Sequence, residues 1–173
     1  TSIGRGNLSF TTINIVKLAI ECMGIENQED RIHEFFKKLD WALEIAAKQL
    51  NERFNFQKTA LKKQFPLLMG SLWLDSEKLA DNDTIEAVIN HGTLGIGFIG
   101  LAEALIALVG KHHGESAEAQ ELGLRIVTFM RSKINKFCET YKHNYSVLAT
   151  PAEGLAGRFT RGDKKKFGII PGV

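Results

Sequence analysis

Cysteine is scarce in this sequence, which has only two in 173 residues. Two thiols are too few for a disulfide framework or a four-thiolate zinc site, and no secretory leader opens the chain. A reducing, cytoplasmic location is therefore expected. The neighbours of Cys22 and Cys138 repeat at helical spacing, which places both thiols on apolar helix stripes. We interpret both as small hydrophobic core residues rather than as nucleophiles or radical sites.

A large charge of one sign and a long apolar run are also lacking. The 22 Lys and Arg residues nearly balance the 20 Asp and Glu residues, and a net charge of +2 is too small for binding nucleic acid by bulk electrostatics. The longest apolar stretch, residues 94–109, contains Glu103 and falls short of the roughly 20 residues that span a bilayer. The sequence therefore predicts that neither nucleic acid nor a membrane is a partner.

The remaining composition is that of one globular domain. The chain is 44% hydrophobic and 24% charged, and its length suits a single domain, so residues 1–173 are treated as one unit. The chain begins at Thr1 rather than Met and ends without a closing helix, so we expect it to be a piece of a larger protein.

Strand and helix patterns alternate along the chain. Strands are predicted at residues 8–13 and 144–149, and a glycine-studded apolar segment at 91–99 leads into a helix at 101–109. Further helices are predicted at 15–22, 30–63, 84–90 and 116–141, with another beginning at 150–153 and a polar turn at 161–166. The helix at 30–63 either continues towards Pro66 or kinks or breaks near Asn55. Strands separated by long helices favour parallel pairing with helical crossovers. The predicted class is α/β, helix-rich, with about three short strands.

The glycines Gly95, Gly97 and Gly100 match the G-x-G-x-x-G pattern of dinucleotide-binding turns. A Rossmann unit also needs a second strand that ends in an acidic residue about 20 positions later, and here that distance falls inside the helix predicted at 116–141. Cofactor binding of this kind is therefore the minor alternative. Tight backbone packing, or the close approach of another ligand, explains the glycines better.

The segment Thr150-Pro151-Ala152-Glu153 has two interpretations. Its spacing fits a capping box, in which the Thr150 hydroxyl accepts from the Glu153 N–H and the Glu153 carboxylate accepts from the Thr150 N–H. Alternatively, a helix that begins at the end of a buried strand presents free N–H groups and a positive dipole end, which suit a phosphate. The residues alone favour the cap, because most capped helices bind nothing.

Other polar clusters carry weaker signals. His112, His113 and Glu115 are potential metal ligands, but they lie in one short turn without the spacing of a helical zinc site, so a polar helix connection is the better interpretation. Arg5 and Asn7, beside the glycine-rich start, either face a ligand or are ordinary loop residues. The lysines at 164–166 are interpreted as a solvated turn.

Three longer blocks together resemble one enzyme family. They are GRGNLSFTTIN at residues 4–14, HGTLGIGFIGLAE at 91–103 followed by GKHHGES at 110–116, and NYSVLATPAEGL at 144–155. In this order they are similar to the anaerobic (class III, glycyl-radical) ribonucleoside-triphosphate reductases, and the match runs across essentially the whole chain. The resemblance implies that the chain is an internal portion of the catalytic domain, a ten-stranded α/β barrel.

The resemblance also implies a reaction, the radical conversion of ribonucleoside triphosphates to 2′-deoxyribonucleoside triphosphates for DNA synthesis, with formate or a thiol system as reductant. For the complete enzyme it implies a glycyl radical installed by an S-adenosylmethionine/iron-sulfur activase, a structural zinc and a homodimer. It places the radical residues and the zinc cysteines outside this chain, and neither Cys22 nor Cys138 matches a catalytic cysteine. We therefore expect no catalytic residue, metal site or cofactor here, and an inactive chain.

Substrate-binding residues are carried over by resemblance at two places. Asn7 resembles a family position near the ribose, where its amide can hydrogen-bond the hydroxyls. The turn of Thr150, Pro151, Ala152 and Glu153 is similar to the helix start that receives substrate phosphates across the reductase superfamily. This makes phosphate binding the preferred interpretation of the turn.

A second hypothesis makes the chain a helical folding or dimerisation module with no ligand contact of its own. Light scattering discriminates between the two hypotheses. A module should associate stably and specifically, whereas an incomplete barrel should aggregate through exposed apolar edges.

Overall fold

The computed structural model describes residues 6–173. Three parallel strands form one sheet in the order β1-β2-β3, with β1 at Asn7–Asn14, β2 at Thr93–Ile99 and β3 at Asn144–Ala149. The predicted α/β class, the three strands and their parallel pairing are confirmed.

Helices make both crossovers between the strands. The first crossover contains α1 (Ile15–Ile20), α2 (Gln28–Gln57) and α3 (Glu86–Ile89), and the second contains α4 (Leu101–Val109) and α5 (Ala117–Tyr141). A further helix, α6 (Glu153–Phe167), follows β3. The cap predicted at Ser116 is confirmed, since its hydroxyl accepts from the Ala119 N–H at 3.1 Å. Helical periodicity thus located the long helices α2 and α5.

The long helix α2 ends near the break that the sequence allows at Asn55. The helix stops at Gln57 instead of continuing to about residue 63. The Thr59 hydroxyl donates to the Phe56 carbonyl at 2.8 Å, and the chain then turns so that Leu61 forms an isolated bridge with Thr84. A long-range contact thus ends the helix before the local signal at Pro66.

The polar turn predicted at residues 161–166 was also wrong, because these residues continue α6. Phe159, Asp163 and Phe167 recur every four residues on the half-buried side of the helix. The lysines between them are good helix formers, so the polar sequence does not end the helix.

The two faces of the sheet differ. One face packs on α2 and α5: the Tyr145 ring lies 6.1 Å from the Phe137 ring, and its hydroxyl donates to the Ala47 carbonyl at 3.2 Å. On the other face the central strand presents Gly95 and Gly97, and Phe10 of β1 is 56% exposed. The first face is the core, and the second has a central strip without side chains.

No helix among residues 6–173 has the length and apolar character needed to cross a bilayer.

Candidate functional site

The carboxyl ends of the three strands lie at one edge of the sheet. Asn14 ends β1, Gly100 follows β2, and Thr150 follows β3. Ligands of parallel sheets bind at this edge, where strands turn into helices. These three positions therefore outline the candidate site.

The turn after β3 does not form the predicted capping box. The Thr150 hydroxyl lies 3.1 Å from the Thr12 hydroxyl, and the α6 start has no side-chain cap. The Thr150 N–H donates to the Phe98 carbonyl at 3.0 Å, so it is not available to Glu153 either. The box fails because both polar groups of Thr150 are used by neighbouring strands.

The start of α6 consequently has unsatisfied donors. The helix begins at Glu153, and its first return bond runs from the Ala156 N–H to the Ala152 carbonyl. Within residues 6–173, no backbone acceptor bonds the N–H groups of Glu153, Gly154 or Leu155. Free N–H groups at the positive end of a helix dipole are suited to an anion.

Gly97 makes room for the two threonine hydroxyls. It lies in the centre of β2, paired with Thr12 on one side and Leu148 on the other. A Cβ atom at position 97 would collide with the Thr150 hydroxyl oxygen and lie 3.1 Å from that of Thr12. The missing side chain is therefore what allows the hydroxyls to meet above β2.

The other two glycines of the G-x-G-x-x-G match are also packed tightly. A Cβ at Gly95 would lie 3.1 Å from the Phe10 Cβ, and one at Gly100 would collide with Val16. Gly95 and Gly97 lie within a strand instead of in a polar turn. The structure supports the packing interpretation of this motif.

A cavity of about 550 Å³ opens beside the carboxyl edge, between the ends of β1 and β2 and the side of α6. Its polar lining consists of Asn14, Glu103, Thr160, Asp163 and Lys164, and most of the rest is apolar. This mixture suits a small ligand with an apolar body and hydroxyl or amine groups.

Two polar contacts hold α6 against α1 at this cavity. The Asn14 amide donates to the Asp163 carboxylate at 2.6 Å while its oxygen accepts from the Lys17 N–H. Lys166 pairs with Glu21 at 3.1 Å. Burial raises the pKa of the Glu21 carboxyl, but the hydrogen bond and charge of Lys166, together with the charges of Lys38 and Lys17, outweigh it and hold that pKa below its ordinary value.

Sequence reasoning assigned no role in the site to Asn14 or Thr12. Asn14 had a usable signal, because it is a polar residue at the last position of a predicted strand, directly before a helix. Thr12 had none, since its partner Thr150 is 138 residues away.

The predicted site residue Asn7 lies at the opposite edge of the sheet. It is exposed at the amino end of β1, in register with Thr93 and, through that residue, with Asn144. Six strand positions separate Asn144 from Thr150, or about 20 Å at roughly 3.3 Å per residue. The structure does not bring Asn7 and the Thr150 turn together, and Arg5 lies outside the described residues.

Cys22, Cys138 and His112 make contacts within the fold. Cys22 is fully buried, and burial raises the pKa of its thiol. The Cys138 sulfur accepts from the Tyr145 N–H at 3.3 Å. His112 accepts from the Gly114 N–H at 3.0 Å, and residues 6–173 contain no group of three His, Cys, Asp or Glu side chains able to hold a metal ion.

Known proteins with similar sequences belong to one family. All of residues 1–173 match the family model described as anaerobic ribonucleoside-triphosphate reductase. The enzymes of that name from Salmonella typhimurium and Escherichia coli are each 30% identical over 172 residues, which cover 98% of this chain and 23% of theirs. The chain thus spans about a quarter of the length of the curated relatives that it matches.

Solved structures share the fold. An anaerobic ribonucleotide reductase superposes with a TM-score of 0.76 at 18% identity, covering 95% of this chain and 24% of that one. The Thermotoga maritima enzyme, solved with citrate in its active site, gives 0.72 at 17% identity and covers 95% and 28%. Because the family model matches the whole of this chain, residues 1–173, the chain belongs to the anaerobic ribonucleoside-triphosphate reductase family.

Proposed function

We propose that this chain is part of the catalytic barrel of an enzyme that replaces the 2′-hydroxyl of ribonucleoside triphosphates by hydrogen through radical chemistry. The observation that carries the proposal is the match of all 173 residues to the reductase family. The parallel sheet supports it, since three such strands with one glycine-lined face form a segment that a larger barrel can complete.

The part of substrate binding that we assign to this chain is contact with phosphate at the turn of Thr150, Pro151, Ala152 and Glu153. The free N–H groups of Glu153, Gly154 and Leu155 support this assignment, because they converge at the positive end of α6. The Glu153 side chain is exposed and carries a charge of the wrong sign, so the backbone is the proposed donor.

Asn7 is the weaker of the two proposed contacts. Its distance of about 20 Å from the turn, at roughly 3.3 Å per strand residue, is longer than the span from the ribose to the γ-phosphate of one nucleotide. The geometry therefore favours the turn. If Asn7 does contact the ribose, Asn7→Ala in the full protein lowers turnover without loss of folding, and unchanged turnover removes Asn7 from the site.

The partners proposed for the complete enzyme are the nucleotide, a radical-generating activase and a second copy of the enzyme. The structural zinc that the family implies does not fit the described part of the chain, where no three suitable ligands lie together. Cys22 and Cys138 pack in the core and against Tyr145 rather than facing the carboxyl edge.

The phosphate contact is tested by removing one backbone donor. Gly154→Pro deletes an N–H in the first turn of α6, where proline is tolerated, and Gly154→Ala keeps it in a position where a Cβ meets nothing within 4 Å. The full protein that carries this sequence is assayed without oxygen on a ribonucleoside triphosphate. We expect Gly154→Pro to raise KM about tenfold, the loss of one charge-assisted hydrogen bond, with kcat within about twofold. Equal KM values for the two variants contradict the contact.

A further inference from the structure

We propose that Thr12 is a positioning residue for the phosphate-binding turn: it holds the Thr150 hydroxyl away from α6 and so keeps the first N–H groups of that helix open. The effect on KM rests on the proposed function. The choice of hydrogen-bonding partner by the Thr150 hydroxyl does not depend on it.

Two hydrogen-bonding partners compete for the Thr150 hydroxyl. The sequence T-P-A-E favours a cap, because threonine at this spacing accepts from the N–H of the residue three positions later and proline suits the first helical position. In the structure the hydroxyl instead lies 3.1 Å from that of Thr12, above Gly97. A contact across 138 residues has replaced the local one.

The backbone of the turn is strained at Ala152. Ala152 has φ 24° and ψ 50°, a left-handed conformation that is unfavourable for a residue with a Cβ. If Thr150 capped the helix, Pro151 and Ala152 would adopt helical angles and α6 would begin two residues earlier. The Thr12 contact therefore opposes a helix extension that the local sequence favours.

Gly97 is required for this arrangement. A side chain at position 97 would occupy the space in which the two hydroxyls meet. The N–H of Thr150 is already bonded to the Phe98 carbonyl, so Thr12 supplies the second attachment that fixes its side chain. The first-turn donors of Glu153, Gly154 and Leu155 are left free as a result.

The test uses the full protein that carries this sequence and the isosteric variant Thr12→Val. Without the Thr12 hydroxyl, Thr150 turns to cap α6. We expect amide hydrogen exchange at residues 153–155 to slow several-fold, and KM for the triphosphate to rise about tenfold with kcat within about twofold. Thr12→Ser retains a hydroxyl and should restore both measurements.

Two further variants separate positioning from a general structural effect. Thr11→Val is the matched control, because the Thr11 hydroxyl donates to Gln49 at 3.1 Å on the helix-covered face of the sheet, and it should change neither measurement. The double variant Thr12→Val/Thr150→Val removes the hydroxyl that would cap the helix. Amide hydrogens at 153–155 should exchange faster in the double variant than in Thr12→Val alone, and its KM should be lower. If both substitutions only damaged the structure, their effects on KM would add and the double variant would have the higher KM.

The inference and the proposed function fail in different ways. Wild-type exchange rates at 153–155 in Thr12→Val overturn the inference, whatever the nucleotide does. Slowed exchange with an unchanged KM overturns it also, provided that Gly154→Pro raises KM. An unchanged KM in Gly154→Pro itself overturns the proposed phosphate contact instead.

Discussion

At the scale of single residues, the position of His143 makes stability depend on pH. Its ring packs 4.0 Å from the Phe54 ring, at the junction between α5 and β3. Burial, together with the nearby charge of Lys58, lowers the pKa of this imidazole below its ordinary value of 6.5. The unfolded chain therefore binds the proton more readily than the folded chain does.

The sign of the effect follows from this difference. Well above pH 6.5 the imidazole is neutral in both states and does not affect stability. Stability is lost as the pH falls through 6.5 towards the lowered folded pKa. In urea unfolding between pH 7 and pH 5, His143→Gln should lose less stability than the parent chain. His33→Gln, which removes an exposed histidine, is the control and should keep the parent's slope. Equal slopes in all three proteins would show that His143 is not the cause.

At the scale of an element, two glycines in the left-handed region bound α4. Gly100 before the helix has φ 85°, and Gly110 after it has φ 79°. The two differ in the space around them: a Cβ at Gly100 would collide with Val16 of α1, and one at Gly110 would meet nothing within 4 Å. The pair therefore separates the cost of the backbone conformation from the cost of packing.

Alanine substitutions should show this separation. Gly110→Ala should cost about 1–2 kcal/mol of unfolding free energy, the cost of a left-handed conformation for an L-residue. Gly100→Ala should cost about 1–3 kcal/mol more, because the new methyl group overpacks the contact between α1 and α4. Urea unfolding at a concentration that keeps the chain monomeric measures both. Equal costs would mean that Val16 moves aside freely.

The elements also show how much the sequence can predict. Local sequence patterns located the three strands and the long helices. One face of such an element is apolar, so its apolar residues recur at a spacing that a short stretch of sequence shows. The capping box that the local residues favour at Thr150 does not form, because Thr12, which takes the Thr150 hydroxyl, lies 138 positions away. Between the two ends that the sequence allows for α2, the earlier one is found, because Leu61 pairs with Thr84. In both places a contact between distant residues decides what the local sequence leaves open, whereas the polar turn expected at 161–166 is helical because its residues favour a helix.

At the scale of the whole molecule, the sheet is unfinished on two sides. With the order β1-β2-β3, both outer strands present an edge without a partner strand among residues 6–173. The glycine-lined face adds apolar surface, since Phe10 is 56% exposed there. Open strand edges and exposed apolar faces favour association.

The isolated chain should therefore associate progressively as its concentration rises, which light scattering measures. Phe10→Lys should reduce this association, because it places a charge on the open face next to the β1 edge. Phe56→Lys is the matched control: this phenylalanine is 81% exposed, but it lies on the helix α2 and not on a strand, so its replacement should have little effect. The alternative outcome is a single dimer that does not change with concentration and that Phe10→Lys does not weaken. This outcome would support the dimerisation module, because the interface of a complete module would not depend on an open sheet face. Progressive association that requires Phe10 would support the barrel, in which further strands cover that face and remove both edges.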